Sequence, residues 1–234
     1  MNTPISTPNP SIRVWDLPTR VFHWLLATSV VGAIVTVNVG GRWMDWHMPF
    51  GVAVLALIAF RLLWGVVGSR YARLGQLFCR PSQLWRYLRE PQAGQSPGHS
   101  PLGALASLAL LLVLTVQAVT GLFASDGILT DGPLNQYVTN QTARLMTTIH
   151  LQNKFVMMAL IGLHLIAILI YSLRGKRLVT AMVTGNKCTD SVVPGAVAAR
   201  DDLRLRLLAL LLAALMASGA WWLIDLGRST GFSF

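Results

Sequence analysis

"HLQNKFVMMALIGLH", His150–His164, opens the fourth of five long apolar runs and carries a histidine at each end. The two stand fourteen residues apart. That is close to four helical turns, so both fall on one face, separated by roughly 21 Å along the axis. Two more histidines, His23 and His47, sit in or at the end of other apolar runs. Coordinating side chains are costly in hydrocarbon and mark a site where they occur. Two of them on one helical face suit a bundle that holds two stacked cofactors between its helices.

The apolar runs cover about residues 21–39, 48–67, 102–124, 150–171 and 205–224. Each is near the ~20 residues that a helix needs to cross the hydrocarbon. Backbone in lipid must satisfy its own hydrogen bonds, which makes runs of this length helices and not barrel strands. With 53% hydrophobic and 12% charged residues among 234, an ordinary soluble domain is excluded. The expected fold is all-α and integral to the membrane: a four-helix bundle followed by a fifth, C-terminal transmembrane helix.

A net charge of +10 could indicate nucleic acid, but its distribution argues for no nucleic-acid partner. Arg13 and Arg20 precede the first run, and Arg70, Arg73, Arg80, Arg86 and Arg89 lie between the second and third. Arg174, Lys176, Arg177, Lys187, Arg200, Arg204 and Arg206 lie between the fourth and fifth, whereas the other connections carry only Arg42, Arg144 and the tail's Arg228. This alternation is the positive-inside pattern; it places the N-terminus in the cytoplasm and the C-terminus outside. Cys79 and Cys188 then face the cytoplasm, where thiols stay reduced. There is no C-x-x-C-H for covalent haem attachment. The first run lacks a small-residue cleavage site and carries His23, so it reads as a retained span.

Residues 1–12 are rich in Pro, Ser, Thr and Asn and are expected to be disordered. Residues 13–187 form the four-helix domain, and 188–234 supply a cytoplasmic loop and the additional helix. Ser82–Arg89 reads as a short helix lying at the lipid surface, with Leu84, Trp85 and Leu88 on its apolar face. Ser100-Pro101 is an N-cap followed by proline at the first helical position, opening the third span. The connection 125–149 is expected to be a polar surface loop, and 174–202 a basic loop without periodicity.

Depth decides which histidines can meet. His47 and His150 both belong to the outer side, while His23 and His164 lie nearer the cytoplasm. Each pair draws one ligand from each of two helices, as a bis-imidazole haem inserted between helices requires. Gly51, one turn after His47, and Ala27, one turn after His23, are small enough to let a flat macrocycle approach the backbone. Met157, Ile161 and Ile168 lie near the same stripe of the fourth span as space-fillers. Arg61 follows His47 by fourteen residues, so it lies at about the depth of His164. An arginine that deep needs an anion, for which a propionate of the inner haem is one candidate; snorkelling to the cytoplasmic surface is the other reading. Ion and proton transporters add intramembrane carboxylates, whereas Asp16, Asp45, Asp126, Asp131 and Asp225 all sit at ends or in loops. His99, in the loop before the third span, reads as a surface or capping residue.

With these residues in view, "RVWDLPTRVFHWLL" (Arg13–Leu26), "FRLLWGVVGSRYAR" (Phe60–Arg73), "GHSPLGALA" (Gly98–Ala106) and "LHLIAILIYSLRGKRLVTAMVTGNK" (Leu163–Lys187) resemble the bacterial cytochrome b561 family. That family includes the b-type subunits of membrane-bound nickel–iron hydrogenases. The resemblance covers about residues 12–187 and implies a di-haem core with two haem b. His23, His47, His150 and His164 would be the axial iron ligands, in the pairs His47/His150 and His23/His164. Ser100 stands where the family more usually has Asn, and the fifth run is an addition whose role the resemblance does not supply.

Two classes of function follow. The first is an electron-transfer protein of a respiratory chain, joining quinone or quinol in the lipid to a periplasmic c-type cytochrome or redox enzyme. With both axial positions taken, neither iron keeps an open site, and the protein is a conductor. The second is a stand-alone quinone oxidoreductase, such as a superoxide:quinone oxidoreductase, which needs an anion-attracting outer surface. Arg42, Arg144 and Lys154 are the candidates for that surface, and a haem carrier or plain membrane anchor is a third reading. The topology is directly testable. Reporter fusions after residues 95 and 190 should report cytoplasm and those near 135 and 232 periplasm; a periplasmic signal at 95 would undo the pairing of the histidines as well.

Overall fold

In the computed structural model of the chain, residues 11–90, 98–127, 130–188 and 197–229 are described. Seven α-helices and one short two-stranded sheet are present among them: β1 (Ser11–Arg13), α1 (Leu17–Val39), α2 (His47–Val67), α3 (Pro81–Arg89), α4 (Pro101–Gly121), α5 (Asn140–Leu173), α6 (Leu178–Thr184), β2 (Asn186–Cys188) and α7 (Leu203–Ser229). Five helices are long and apolar enough to cross a membrane: α1, α2 with the 3-10 turn before it, α4, α5 and α7.

Local chemistry sets where these helices begin and end. Asp16 caps α1 by accepting from the Thr19 N–H at 2.8 Å, with Pro18 in the first turn. Gly40 and Gly41, with φ of 69° and 56°, end α1 in a conformation that favours glycine, and the turn Gly41–Trp46 leads straight into α2. Gly32 lets the two helices close up, since a Cβ there would stand 2.7 Å from the Phe50 ring. Ser100 caps α4, accepting from the Gly103 N–H at 3.2 Å.

The fourth membrane helix starts ten residues before the apolar run does, at Asn140 instead of 150. Thr139 caps it by accepting from the Thr142 N–H, and Ala143 packs inward. A 34-residue helix is about 51 Å long at 1.5 Å per residue, against roughly 30 Å of hydrocarbon. The segment expected as a polar loop is therefore in part a helical extension beyond the apolar layer. What remains of that loop folds back on itself: Gly132 N–H donates to the Ala124 carbonyl at 2.7 Å, Leu134 N–H to that of Leu122 at 2.9 Å.

Helix α2 is the hub, touching α1, α4 and α7, while α5 packs along α4. The core has two apolar layers. In one, Val30, Val54, Ile58, Val113, Leu114, Ala118 and Met157 meet from α1, α2, α4 and α5. In the other, Phe22, Phe60, Trp64 and Ala72 receive Leu205, Leu208, Ala209, Leu212 and Met216 of α7. The additional helix thus has a packing role, on the outer flank of α2.

Two stretches expected to lack structure are tied together at the His23 end. Ser11 and Ile12, placed by their neighbours in a disordered leader, pair antiparallel with Cys188 and Lys187, and Arg13 with Asn186; residues 1–10 lie outside the described residues. The basic segment after α5 supplies α6 and β2, although its loop character holds for residues 199–202. Asp201 joins the pieces. Its carboxylate, 3% exposed, takes the Arg13 guanidinium at 2.6 Å, that of Arg206 at 3.0 Å and the Leu17 N–H at 3.3 Å. The Ala199 N–H adds a bond to the Arg13 carbonyl at 2.8 Å. Burial alone would push the Asp201 carboxyl up, but the Arg206 and Leu17 hydrogen bonds and the nearby Arg206 and Arg13 charges hold it below its ordinary value near 3.8.

Asp201→Asn should therefore loosen the junction by about 1 kcal/mol, discounted for the exposure of both arginines. The expected signs are a lower thermal midpoint in detergent and faster trypsin cleavage at Arg200. A carboxyl with a depressed native pKa stabilises above its unfolded value and loses that contribution as pH falls through the native one. The wild type should hence lose stability below about pH 4 in a component that the Asn variant lacks.

Candidate functional site

The four membrane-depth histidines arrive on three helices. His23 is in α1, His47 opens α2, and His150 and His164 both belong to α5, which runs unbroken between them. The His47 and His150 rings face each other across the gap between α2 and α5, with centroids 6.3 Å apart and planes at 88°. Two imidazoles bound to one metal through nitrogen at about 2.0 Å each, with about 1.1 Å from each nitrogen to its ring centre, need roughly this spacing.

Hydrogen bonds fix how each of the two rings presents itself. His47 Nδ1 lies 2.9 Å from the Ala33 carbonyl of α1, and His150 Nδ1 lies 2.9 Å from the Gln117 carbonyl of α4. A carbonyl can only accept, so each Nδ1 carries a proton, and in a neutral ring Nε2 is then the nitrogen with the lone pair. The Gln117 side chain agrees independently. Its Oε1 accepts from Asn153 at 2.7 Å, which turns its NH2 toward His150 Nε2 at 3.2 Å. Asn153 is itself anchored on the Val113 carbonyl at 3.0 Å. Gly121 makes room for the ring: a Cβ there would stand 3.0 Å from His150 Cε1. One turn after His47, Gly51 has no heavy atom within 4 Å of where a Cβ would be, an open strip of backbone at the mouth of this pair.

At the other end, His23 lies within electrostatic range of His164. His23 Nδ1 is sealed from solvent and has no hydrogen-bond partner, and its ring meets Trp24 edge-on at 5.2 Å. Between the two pairs lies Met157, 6% exposed, in the apolar layer with Val54, Ile58 and Leu114. Met157 is packing, as its place on the stripe suggested.

Arg61 is 5% exposed, which overturns the snorkelling reading; its guanidinium stays inside, within range of the Asp16 charge, and Nη1 has no partner. Asp16 is wholly buried and already engaged by the Thr19 N–H and by Trp64 Nε1 at 3.1 Å. His99 also departs from expectation. It is only partly exposed: its ring lies 4.7 Å from that of Trp15, edge-on, and its Nδ1 is sealed and without a partner. Burial, then the charges of Arg61 and Lys187, push the imidazole down to about 4.

Gln117, Asn153 and Gly121 had no place in the sequence reading, although an amide inside each of two apolar runs was a visible signal. Among the described residues, no group of three or more His, Cys, Asp or Glu side chains is placed to hold a metal ion. A metal held by a histidine pair here must bring its remaining ligands with it, as a macrocycle does. The donor set suits haem: an imidazole pair, His47 and His150, with each Nδ1–H held by a backbone carbonyl, a glycine one turn after His47, and the buried cation Arg61 for an acid group.

Comparison with known proteins agrees with this chemistry. Residues 14–185 match the family model described as prokaryotic cytochrome b561. A probable Ni/Fe-hydrogenase B-type cytochrome subunit of Azotobacter vinelandii is 29% identical over an alignment of 141 residues, covering 47% of this chain and 58% of the relative. The similarly named protein of Azotobacter chroococcum is 28% identical over the same extent. The chain thus spans 58% of the length of the curated relatives it matches, and no solved structure matches it significantly. The match of the family model to most of the chain settles the family: this protein is a prokaryotic cytochrome b561, a multi-pass, helical membrane protein of a family whose cofactor is haem b.

Proposed function

We propose that the chain is a membrane electron conduit that holds two haem b, one at each end of the bundle, and links the quinone pool to a periplasmic redox partner. The observation that carries the reading is the His47–His150 pair, two imidazoles on different helices at metal-bridging distance, each with Nδ1–H spent on a backbone carbonyl. The Nε2 atoms of the pair would hold the iron of the outer haem, with Gln117 giving up its 3.2 Å contact to His150 Nε2, and His23 and His164 would hold that of the inner one. Arg61 would face an acid group of the inner haem.

When bound, haem supplies a one-electron couple; the protein supplies its fixing and its surroundings. Hydrogen bonding of Nδ1–H to Ala33 and Gln117 holds each ring in one tautomer and raises its donor strength. Because histidines would occupy both axial positions, no coordination site stays open for oxygen or substrate. Helix α5 places its two ligands roughly 21 Å apart, with the Met157 layer between them. Quinone reaches a haem edge from the lipid, and a water-soluble partner, a c-type cytochrome or a redox enzyme of the hydrogenase kind, reaches the outer end. The relatives' names support a redox enzyme partner. The basic segments around α3 and α6 support a cytoplasmic N-terminus in a bacterial inner membrane.

His47→Ala or His150→Ala should remove or convert one haem and His23→Ala or His164→Ala the other, read by haem stoichiometry and redox titration of the purified protein. Four single variants that all keep two low-spin bis-histidine haems would sink the assignment. Stopped-flow spectroscopy should show reduced quinone reducing both haems. Haems that ignore every quinol but respond rapidly to superoxide would point to the stand-alone oxidoreductase instead.

A further inference from the structure

The His47 and His150 rings are crossed, their planes at 88° with centroids 6.3 Å apart. Each plane is set from a different helix. His47 donates Nδ1–H to the Ala33 carbonyl of α1 and His150 to the Gln117 carbonyl of α4, both at 2.9 Å. A hydrogen bond from the ring nitrogen to a carbonyl on a rigid helix leaves the ring little freedom to turn about its ligating axis.

Two residues tighten the hold on His150. Asn153, three residues further along α5, donates through Nδ2 to the Val113 carbonyl at 3.0 Å and to Gln117 Oε1 at 2.7 Å, both on α4. It thereby fixes the rotation of α5 against the helix that carries the His150 acceptor. Gly121 gives the ring its seat, since a Cβ there would stand 3.0 Å from His150 Cε1 and 3.3 Å from Nδ1. Thr120 Oγ1, 3.4 Å from Nδ1, lies along the same edge.

The angle has an electronic meaning for an iron held between the rings. Each imidazole acts through its π system on whichever iron dπ orbital lies perpendicular to its plane. Parallel rings act on the same orbital and split the dπ pair; crossed rings act on both orbitals and leave them nearly degenerate. Ferric low-spin iron has a hole in this set, and splitting lets the hole occupy the raised orbital, which stabilises the oxidised state. The filled ferrous set gains nothing from splitting. Crossed planes therefore raise the reduction potential. They also leave orbital momentum that stretches the EPR spectrum into one feature of large maximum g.

We propose that Gly121 and Asn153 are positioning residues that hold the two ligand planes of the outer haem crossed, and so keep its reduction potential above that of an aligned pair. This rests on the proposed ligation by His47 and His150. A glycine and an amide inside two apolar spans thereby tune the couple through the ligand's surroundings without supplying a ligand.

The test uses the full-length protein purified with its haems, as wild type, Gly121→Ala, Asn153→Leu and His150→Ala. Haem content, EPR of the oxidised protein and potentiometric titration are read. The wild type should show a large-g feature, and His150→Ala should abolish it. A ring crossed at 88° loses angle whichever way it turns. The added methyl of Gly121→Ala should therefore move that feature toward a rhombic spectrum of smaller maximum g and lower the same haem's potential, leaving haem content and the other haem unchanged. Asn153→Leu keeps the side-chain volume while removing both bonds, so it remains informative if Gly121→Ala does not fold. It should shift the feature the same way and broaden it, because α5 is freer to rotate.

A rhombic wild-type spectrum for the haem that His150→Ala removes would overturn the proposal. So would an unshifted large-g feature in variants that retain their haem. Haem loss from the variants, with no change in maximum g for the fraction retained, would show purely structural roles and would overturn it too. Failure of the ligand reading looks different: His47→Ala and His150→Ala would then both keep two low-spin haems, whatever substitutions at 121 and 153 do.

Discussion

Inside an apolar bundle a polar side chain must find its partner within the protein, since lipid offers none. That constraint organises this protein. His47 reaches from α2 to the Ala33 carbonyl of α1, His150 from α5 to the Gln117 carbonyl of α4, and Trp64 of α2 to Asp16 at the head of α1. These bonds hold helix pairs at fixed rotations, and the apolar layers around Met157 and Trp64 fill in behind them. Rotating α5 by one residue would turn His150 away from both His47 and Gln117. The helix pairing and the imidazole orientation are thus one arrangement seen at two scales.

The spans, their order and the meeting of His47 with His150 were legible because they depend on strong signals. Long apolar runs leave the backbone one solution, and a fourteen-residue spacing keeps one face of one helix. The ends of the helices were less so. Nothing in the hydropathy of residues 140–149 announces a helix, because Thr139 and the packing of Ala143 supply the stabilisation that lipid does not. His99 was misread for a similar reason. A single histidine in a Gly-Ser-Pro loop looks exposed until Trp15, far away in sequence, is folded against it. Likewise Arg61 has the stem length to reach the surface, and only the position of Asp16 shows that its head stays inside.

The match to the cytochrome b561 family covers residues 14–185, and α7 lies beyond it. That helix seats Leu205, Leu208, Ala209 and Leu212 against Phe60 and Trp64 of α2. The helix that α7 packs on is the one that carries His47 and Arg61. The outward side of α7, with Leu207, Leu211, Trp221 and Trp222 exposed, is suited to lipid.

The junction at Asp201 has a consequence in time. A ribosome delivers this chain from its N-terminus, so Arg13 and the Leu17 N–H exist long before the carboxylate that will hold them. All four bundle histidines are likewise synthesised before residue 201. During that interval the His23 end of the bundle has its histidines but not its fastening, since β2, Asp201 and the start of α7 are still to come. The order of the sequence therefore writes an order of assembly, in which the last helix to enter the membrane is also the bolt that closes the first.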